Sequence, residues 1–309
     1  MTGRPLPDAP GASRGKAHGR DGAVLIALFL MLSMPTGCMN NAFYGPTQML
    51  YDAPENYGLQ AEEVFFQSGD GVRLQGWIYP AAGASLGVVV YFHGYYGNLT
   101  HYIEQFHWLP DSGFTVFAFN YRGYGQSQGE LSRRGVHQDA LAALAYARSH
   151  PVLGAQDRFV FGQSLGGAVA VPAVADTDDS GIRAVILEGA FHSYRVEARE
   201  MMDHAVREQY GAVPCLGLQT ALLSRLAVSD ALNPGDRIGE LSPIPVLLIH
   251  CETDRTVLLH HSRYLYEKAS QPKALWVVDD CEHMAVFGPK ATDVRYRRKL
   301  TGFLTRHLS

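Results

Sequence analysis

The sequence Gly162-Gln163-Ser164-Leu165-Gly166-Gly167 lies between the apolar residues 158–161 and the helix-forming residues 168–171. This order is typical of a strand, a tight turn and a helix. Gly162 and Gly166 have no Cβ, so a serine between them can take a strained backbone conformation without clashing with the strand or the helix. Such a turn holds the Ser164 hydroxyl out of the sheet, as a nucleophile requires; a plain glycine-rich turn is the alternative interpretation.

Strands and helices alternate on both sides of this turn. Residues 63–66 and 72–79 alternate apolar and polar side chains around Ser68-Gly69-Asp70-Gly71, which predicts an antiparallel hairpin. Further apolar runs predict the strands of a parallel sheet, separated mostly by helices, at residues 86–92, 115–119, 158–161, 184–187, 246–249 and 274–278. We therefore predict an α/β fold with a mostly parallel, doubly wound sheet flanked by helices.

About 50 residues between Phe191 and Ser242 contain no predicted strand, which is long for an ordinary connection. Helical patterns at 196–209 and 219–226 flank Gly211-Ala212-Val213-Pro214. We expect a small helical cap, inserted at residues 192–242, over the site of a single domain that spans residues 62–309.

The composition excludes several classes of function. The 309 residues are 47% hydrophobic with a net charge of −4, and no run of Lys or Arg predicts a nucleic-acid partner. Cys and His do not follow zinc-site spacing, and His260 and His261 would point about 100° apart on a helix, so we expect no metal. Gly123, Gly125 and Gly129 match a dinucleotide loop poorly in spacing, so we expect no cofactor.

The N-terminus resembles a secretory signal. Basic residues precede the apolar residues 23–34, a run of about a dozen that is too short to span a bilayer. Pro35-Thr36-Gly37-Cys38 is similar to a bacterial lipobox, with Pro35 where leucine is usual. We expect a signal peptide at 1–37, lipid on Cys38, a tether at 38–61 and an exported, membrane-anchored lipoprotein of the bacterial cell envelope. A soluble periplasmic or secreted protein and an uncleaved anchor are the alternatives.

Three further segments carry a family resemblance: His93-Gly94-Tyr95-Tyr96-Gly97-Asn98, Asn120-Tyr121-Arg122-Gly123-Tyr124-Gly125-Gln126-Ser127 and His250-Cys251-Glu252-Thr253-Asp254-Arg255-Thr256-Val257. With the serine turn, they make the chain from about residue 62 onward similar to the α/β-hydrolase superfamily, and in particular to its Bem46-like serine hydrolases. Cys251 stands where that group usually has glycine. The resemblance implies an α/β-hydrolase fold and a Ser-His-Asp triad. It also implies that His250 packs under the acid turn.

A serine nucleophile needs a base and an acid to activate it. His283 follows the last predicted strand, where the fold delivers its base to the carboxyl edge of the sheet. Asp254 follows the penultimate strand and is the preferred acid. The other candidate acids are Glu252, Glu188, Asp279 and Asp280. His93 is expected to support its own loop.

Attack on a carbonyl also creates an oxyanion that backbone N–H groups must stabilise. We expect those of Tyr95 and Leu165 to do so, with the Tyr95 or Tyr96 phenol as a further donor or simply part of an aromatic rim. These residues predict hydrolysis of a carboxylic ester through an acyl-enzyme, on a small-molecule or acyl substrate. The alternatives are a peptidase, an acyl-thioesterase or a non-catalytic binding module.

A disulfide between Cys251 and Cys281 is also possible on geometric grounds. Both cysteines follow the last two strands, and adjacent parallel strands lie about 4.8 Å apart, within the usual Cα separation of a disulfide. An exported protein would permit the bond. Two buried free thiols are the alternative.

Overall fold

The computed structural model describes residues 42–213, 215–279, 281–283 and 292–309. The predicted signal peptide, Cys38 and Asp280 lie outside these ranges. Within them, every helix is too short or too polar to cross a membrane.

Ten strands are found in the described residues. They are β1 (Gly45–Pro46), β2 (Glu62–Gln67), β3 (Arg73–Tyr79), β4 (Gly87–Phe92), β5 (Tyr96–Gly97), β6 (Phe114–Phe119), β7 (Arg158–Gln163), β8 (Ile182–Glu188), β9 (Val246–Cys251) and β10 (Lys273–Val278). Eight of them form one sheet in the order β10-β9-β8-β7-β4-β6-β3-β2. Strands β2 and β3 pair antiparallel, as do β3 and β6, whereas all other pairs in this sheet are parallel. The predicted hairpin and mostly parallel sheet are confirmed.

Nine α-helices accompany the sheet in the described residues: α1 (Ile103–Phe106), α2 (Trp108–Asp111), α3 (Arg133–Ser149), α4 (Leu165–Ala175), α5 (Tyr194–Tyr210), α6 (Leu216–Ala227), α7 (Pro234–Arg237), α8 (His260–Lys268) and α9 (Thr292–Arg306). Short 3₁₀ helices occur at Pro54–Tyr57, Leu99–Tyr102 and Ile238–Leu241. The side chain of Asn98 accepts from the Thr100 N–H at the start of the second of these and so caps it.

The position of β4 in the sheet explains why its sequence is apolar without interruption. Val88 and Val90 pack into the hydrophobic core on one face of the sheet, whereas Val89 and Tyr91 pack into the core on the other. Successive side chains of a strand point to opposite faces, so a strand with helices on both sides needs apolar residues at every position. Strand β4 lies between β6 and β7, where the strand order changes direction, which is the usual place for a site in such sheets.

The segment before β2 lies against the domain. Strand β1 pairs in parallel with β5, and the side chains of Phe43 and Tyr44 are buried. The Phe43 ring contacts those of Phe191 and Tyr194, with ring centroids 5.9 Å and 5.1 Å away. Residues 43–46 are therefore packed beside the start of α5.

The described part of the segment between β8 and β9 contains the helices α5, α6 and α7. The patterns at 196–209 and 219–226 fall inside α5 and α6, which pack against each other. Ser193 caps α5, because its side-chain oxygen accepts from the Val196 N–H at 3.3 Å. Helix α5 thus starts directly beside the end of the sheet, and one of its faces turns toward Ser164, as described below.

Candidate active site

Ser164 has the strained backbone that its glycine neighbours make possible. Its φ is 52° and its ψ −119°. A Cβ on Gly162 would lie 2.7 Å from the Gly166 carbonyl oxygen, and a Cβ on Gly166 would lie 2.0 Å from that of Phe92. Only glycine fits at either position without a shift of the backbone. The Ser164 N–H donates to the Glu188 carbonyl at 2.8 Å, which ties the turn to β8.

His283 lies between Ser164 and Asp254. Its Nδ1 is 2.7 Å from Asp254 Oδ2 and its Nε2 is 3.0 Å from Ser164 Oγ. A carboxylate only accepts, so the Nδ1–H donates to Asp254 and the Nε2 lone pair faces the serine hydroxyl. The backbone N–H groups of Thr256 and Val257 hold Asp254 by donating to its other oxygen at 2.9 Å and 3.0 Å. This is the hydrogen-bonded order by which a base activates a serine.

Among the described residues, the other candidate acids form no hydrogen bond or ion pair with His283. Glu188 is buried, and its Oε2 accepts from Gln163 Nε2 at 2.6 Å and from the Tyr296 hydroxyl at 3.0 Å. Burial raises the pKa of its carboxyl. The side chains of Glu252 and Asp279 are exposed. His250 lies under the acid turn, where its Nε2–H donates to the Val257 carbonyl at 2.8 Å.

The loop after β4 orients the backbone N–H of Tyr95. The buried His93 donates from Nδ1 to the Gly94 carbonyl at 2.8 Å. Burial lowers the pKa of His93 to about 3, so the ring stays neutral near pH 7. The Gly94 carbonyl and the Tyr95 N–H belong to one planar peptide group and point in opposite directions, so this bond turns the N–H away from His93. Leu165, the other expected donor, is the first residue of α4. Leu165 and Tyr95 both line the pocket beside Ser164 that is described below.

Two tyrosines of the segment 120–127, which follows β6, hold the loop after β4 in place. The Tyr124 hydroxyl donates to the Tyr95 carbonyl at 2.7 Å, and the Tyr121 hydroxyl donates to the His93 carbonyl at 3.1 Å. The same segment is fixed by Arg122, whose buried guanidinium donates to Asp139 Oδ1 at 2.8 Å and to Asp70 Oδ2 at 2.9 Å. The glycines at 123, 125 and 129 occupy positive-φ turns here.

A cavity of about 240 Å³ opens beside Ser164 and His283. Tyr95, Tyr96 and Leu165 line it, together with the mainly apolar Phe43, Phe191, Met201 and Val257. The Tyr95 and Tyr96 side chains are about half exposed and form part of its rim. The apolar wall is suited to an acyl chain or another hydrophobic group.

Two residues of this site were missed from the sequence. Phe43 was assigned no chemistry, yet it lines the cavity because the β1–β5 pairing places it there. Gly189 has a φ of 57°, and a Cβ on it would lie 3.2 Å from the His283 ring. The signal that could have found Gly189 is its place directly after a buried strand that neighbours the serine strand.

Cys251 and Cys281 are joined by a disulfide, with their Cα atoms 5.3 Å apart. Thr253 Oγ1 also donates to the Cys281 carbonyl at 2.6 Å. Two links therefore connect the turn that carries Asp254 to the turn that carries His283. Of the described cysteines, Cys215 is the free one, and it is exposed.

We expect the double variant Cys251→Ser, Cys281→Ser to lose about 3 to 4 kcal/mol of unfolding free energy, because the bond closes a loop of about 30 residues in the unfolded chain. Urea unfolding of this variant and of the matched control Cys215→Ser measures the difference. Equal midpoints for both would refute a stabilising bond. Alkylation of both Cys251 and Cys281 in denatured, unreduced protein would refute the bond itself.

The expectation that His260 and His261 diverge is wrong. Their rings stack with centroids 4.3 Å apart, and both Nε2 atoms contact Glu200 of α5, at 2.8 Å and 2.9 Å. The angle of 100° describes the directions of the Cβ atoms on an ideal helix, whereas side-chain rotamers at the first turn of α8 bring both rings to one carboxylate.

The chain is similar in sequence to several known proteins. Residues 83–234 match the family described as serine aminopeptidase, S33. YfhR of Escherichia coli K12 is 34% identical over 273 residues, 87% of this chain and 88% of YfhR. Bem46 of Schizosaccharomyces pombe is 29% identical over 237 residues, 75% of this chain and 74% of Bem46. Lysophosphatidylserine lipase ABHD12 of Danio rerio is 30% identical over 227 residues, 72% of this chain and 56% of that protein.

The fold also occurs in solved structures. An esterase of Pyrococcus furiosus, Pf2001, superposes with a TM-score of 0.69 at 19% identity, covering 86% of this chain and 99% of that chain. At this level of identity the likeness concerns the arrangement of the sheet and helices alone.

Proposed function

The chain belongs to the α/β-hydrolase superfamily, in the group that includes Bem46, and from this we propose that it is a serine hydrolase that cleaves carboxylic esters through an acyl-enzyme on Ser164. The observation that carries the proposal is the continuous hydrogen-bonded series from Asp254 through His283 to Ser164. Placed beside a cavity, this series is suited to acyl transfer.

The proposed reaction follows from these contacts. His283 Nε2 takes the proton of Ser164 as its oxygen attacks the substrate carbonyl, and Asp254 stabilises the charged imidazole. The backbone N–H groups of Tyr95 and Leu165 would stabilise the oxyanion that forms. The imidazolium then protonates the departing alcohol, which leaves the acyl group on Ser164. Water, activated by His283, hydrolyses this ester and restores the serine.

The cavity wall favours an ester with an apolar acyl group. Phe43, Phe191 and Met201 offer hydrophobic surface next to Ser164. The named lipase among the relatives acts on a lysophospholipid, which is in keeping with this chemistry. One observation favours a peptidase as a second candidate, because Glu197 brings a carboxylate to the wall, where it could accept a substrate amine. Burial raises the pKa of that carboxyl, which weakens it as an anionic anchor.

A panel of substrates separates the two candidates. The purified chain should hydrolyse p-nitrophenyl esters, with kcat/KM depending on acyl length, and should act at least 100-fold more slowly on aminoacyl p-nitroanilides. The opposite order would establish the peptidase and overturn the esterase. An acyl-thioester of the same chain length tests the thioesterase alternative in the same assay.

We also propose that lipid on Cys38 anchors the protein to a membrane of the bacterial cell envelope. Cys38 is five residues before Phe43, which lines the cavity, so the chain between them spans at most about 18 Å. A lipid at Cys38 would therefore hold the mouth of the cavity close to the membrane surface. That position suits a substrate drawn from the lipid phase.

Replacing Cys38 by Ala should release most of the protein from the membrane fraction, because the lipid is then lost. Cell fractionation followed by immunoblotting measures the distribution. Cys215→Ser is the matched control, because it removes the exposed free thiol of the residue just before α6. This variant should stay in the membrane fraction. Retention of Cys38→Ala on the membrane, or an unlipidated N-terminus in mass spectrometry of the parent, would contradict the proposal.

A further inference from the structure

Three histidine rings meet outside the catalytic series. His192 lies between β8 and α5, and His260 and His261 begin α8. One ring nitrogen of each lies within 4.8 Å of the other two, and the Nδ1 atoms of His192 and His261 are 2.7 Å apart. Stacking helps to hold the His192 ring in place, because its centroid lies 4.1 Å from that of the Tyr264 ring. Three imidazoles converging from two segments form a ready set of nitrogen donors.

Glu200 fixes which nitrogens are available. Its Oε1 lies 2.8 Å from His260 Nε2 and its Oε2 lies 2.9 Å from His261 Nε2. Because an ionised carboxylate only accepts, both Nε2 atoms carry hydrogen. His261 Nδ1 is then the nitrogen that faces His192, where it accepts from the His192 backbone N–H at 3.2 Å, a bond that a bound ion would replace. Metal-binding histidines usually donate their other N–H to a carboxylate in this way, which fixes the tautomer and makes the ring a stronger ligand.

Glu197 supplies a second, independent observation. Its side chain is buried, and its Oε2 lies 3.2 Å from His261 Nε2 without the geometry of a hydrogen bond. A buried carboxylate oxygen that lacks a full hydrogen bond is unfavourable unless positive charge lies nearby. A protonated His261, which contacts both Glu197 and Glu200, would supply that charge, and an ion bound on the other side of the ring would supply it in place of the proton.

We propose that His192, His260 and His261 bind one divalent transition-metal ion, with zinc as the probe, and that Glu200 and Glu197 orient the His261 ring from behind. Nitrogens at 2.0–2.1 Å from a tetrahedral zinc are about 3.3 Å apart, so the rings need to move by roughly 1 Å from their present separations. His260 is exposed and His192 half-buried, which gives an ion a route in and leaves a fourth position for water.

The ion would also connect α8 to the segment that leads into α5, a helix of the cavity wall. Glu197 and Met201 of α5 line the cavity, and α8 follows the acid turn that carries Asp254. A metal held between the start of α5 and the start of α8 would fix α5 against the sheet end of the domain. The rival interpretation is a purely hydrogen-bonded contact, in which one proton lies between the two Nδ1 atoms.

Zinc titration of the purified full chain, after chelator treatment, tests the proposal in competition with a chromophoric chelator. We expect one zinc per chain in this region, an affinity at least 100-fold weaker in His260→Gln and in His192→Gln, and about 10- to 100-fold weaker in Glu200→Gln. Zinc should raise the melting temperature of the parent but not of the two histidine variants. Zinc affinity and melting temperature do not depend on hydrolysis, so they test the metal site independently of the proposed esterase activity.

His204→Gln is the matched control. His204 is an exposed histidine of the same helix α5, and its Nε2 lies 4.0 Å from Glu208 Oε2. This variant should bind zinc as the parent does. Equal zinc affinity in the parent, His260→Gln and His192→Gln, with circular dichroism showing all three folded, would overturn the proposal, as would a parent that binds no zinc.

Discussion

Replacing Ser164 by Ala is expected to lower the rate of ester hydrolysis by about 10⁴-fold or more while leaving the fold intact. The change removes the nucleophile and the partner of His283 Nε2, which now lies 3.0 Å from the serine oxygen. The backbone of the turn keeps its other supports, including the bond from the residue 164 N–H to the Glu188 carbonyl. Steady-state kinetics with a p-nitrophenyl ester measures the loss, and circular dichroism checks the fold.

Ser149→Ala serves as the control for this experiment. Ser149 is exposed at the end of α3, and its hydroxyl donates within the helix to the Tyr146 carbonyl. Its loss should leave kcat/KM within about twofold of the parent, because surface substitutions of this kind have small effects. Parent-like turnover in Ser164→Ala would eliminate Ser164 as the nucleophile and leave the glycine-rich turn as a structural feature.

The second large effect is expected at Asp254. Asp254→Asn should lower kcat by about 10⁴-fold, because an amide in that place can donate to His283 and favour the wrong tautomer for accepting the serine proton. The shape of the side chain is kept, so the two backbone donors at Thr256 and Val257 can still meet the remaining carbonyl oxygen. The pre-steady-state burst and kcat on the same ester report the effect.

Glu252→Gln is the matched change two residues earlier. Glu252 is exposed, so neutralising it should alter kcat by less than about threefold. A large loss in Glu252→Gln with little loss in Asp254→Asn would move the acid to Glu252 and contradict the geometry at His283.

The parts of the fold that follow from local pattern could be predicted from the sequence. Predicting β4 from its apolar run required only the rule that a strand covered on both faces is apolar throughout. The turn at Ser164 needed only Gly162 and Gly166, because the close approach of backbone there excludes any Cβ. His283 and Asp254 were expected from their places after the last two strands, where parallel strands end at one edge of the sheet.

The parts that depend on contacts between distant segments could not be predicted. Phe43 reaches the cavity through the pairing of β1 with β5, about 50 residues later in the chain, and neither two-residue strand has a periodicity to detect. The convergence of His260 and His261 depends on Glu200, which belongs to another helix. A helix projection gives the direction of each Cβ, but it does not contain the partner that draws the rings together.

The central claim is that Ser164 is an activated nucleophile, and labelling with a fluorophosphonate followed by peptide mapping tests it most directly. The probe reacts with a serine whose hydroxyl proton is taken by a base, as His283 is placed to do. The account predicts one adduct per chain, on the peptide that contains Ser164, and no adduct in Ser164→Ala. An unlabelled folded protein, or an adduct on another residue that persists in Ser164→Ala, would contradict it.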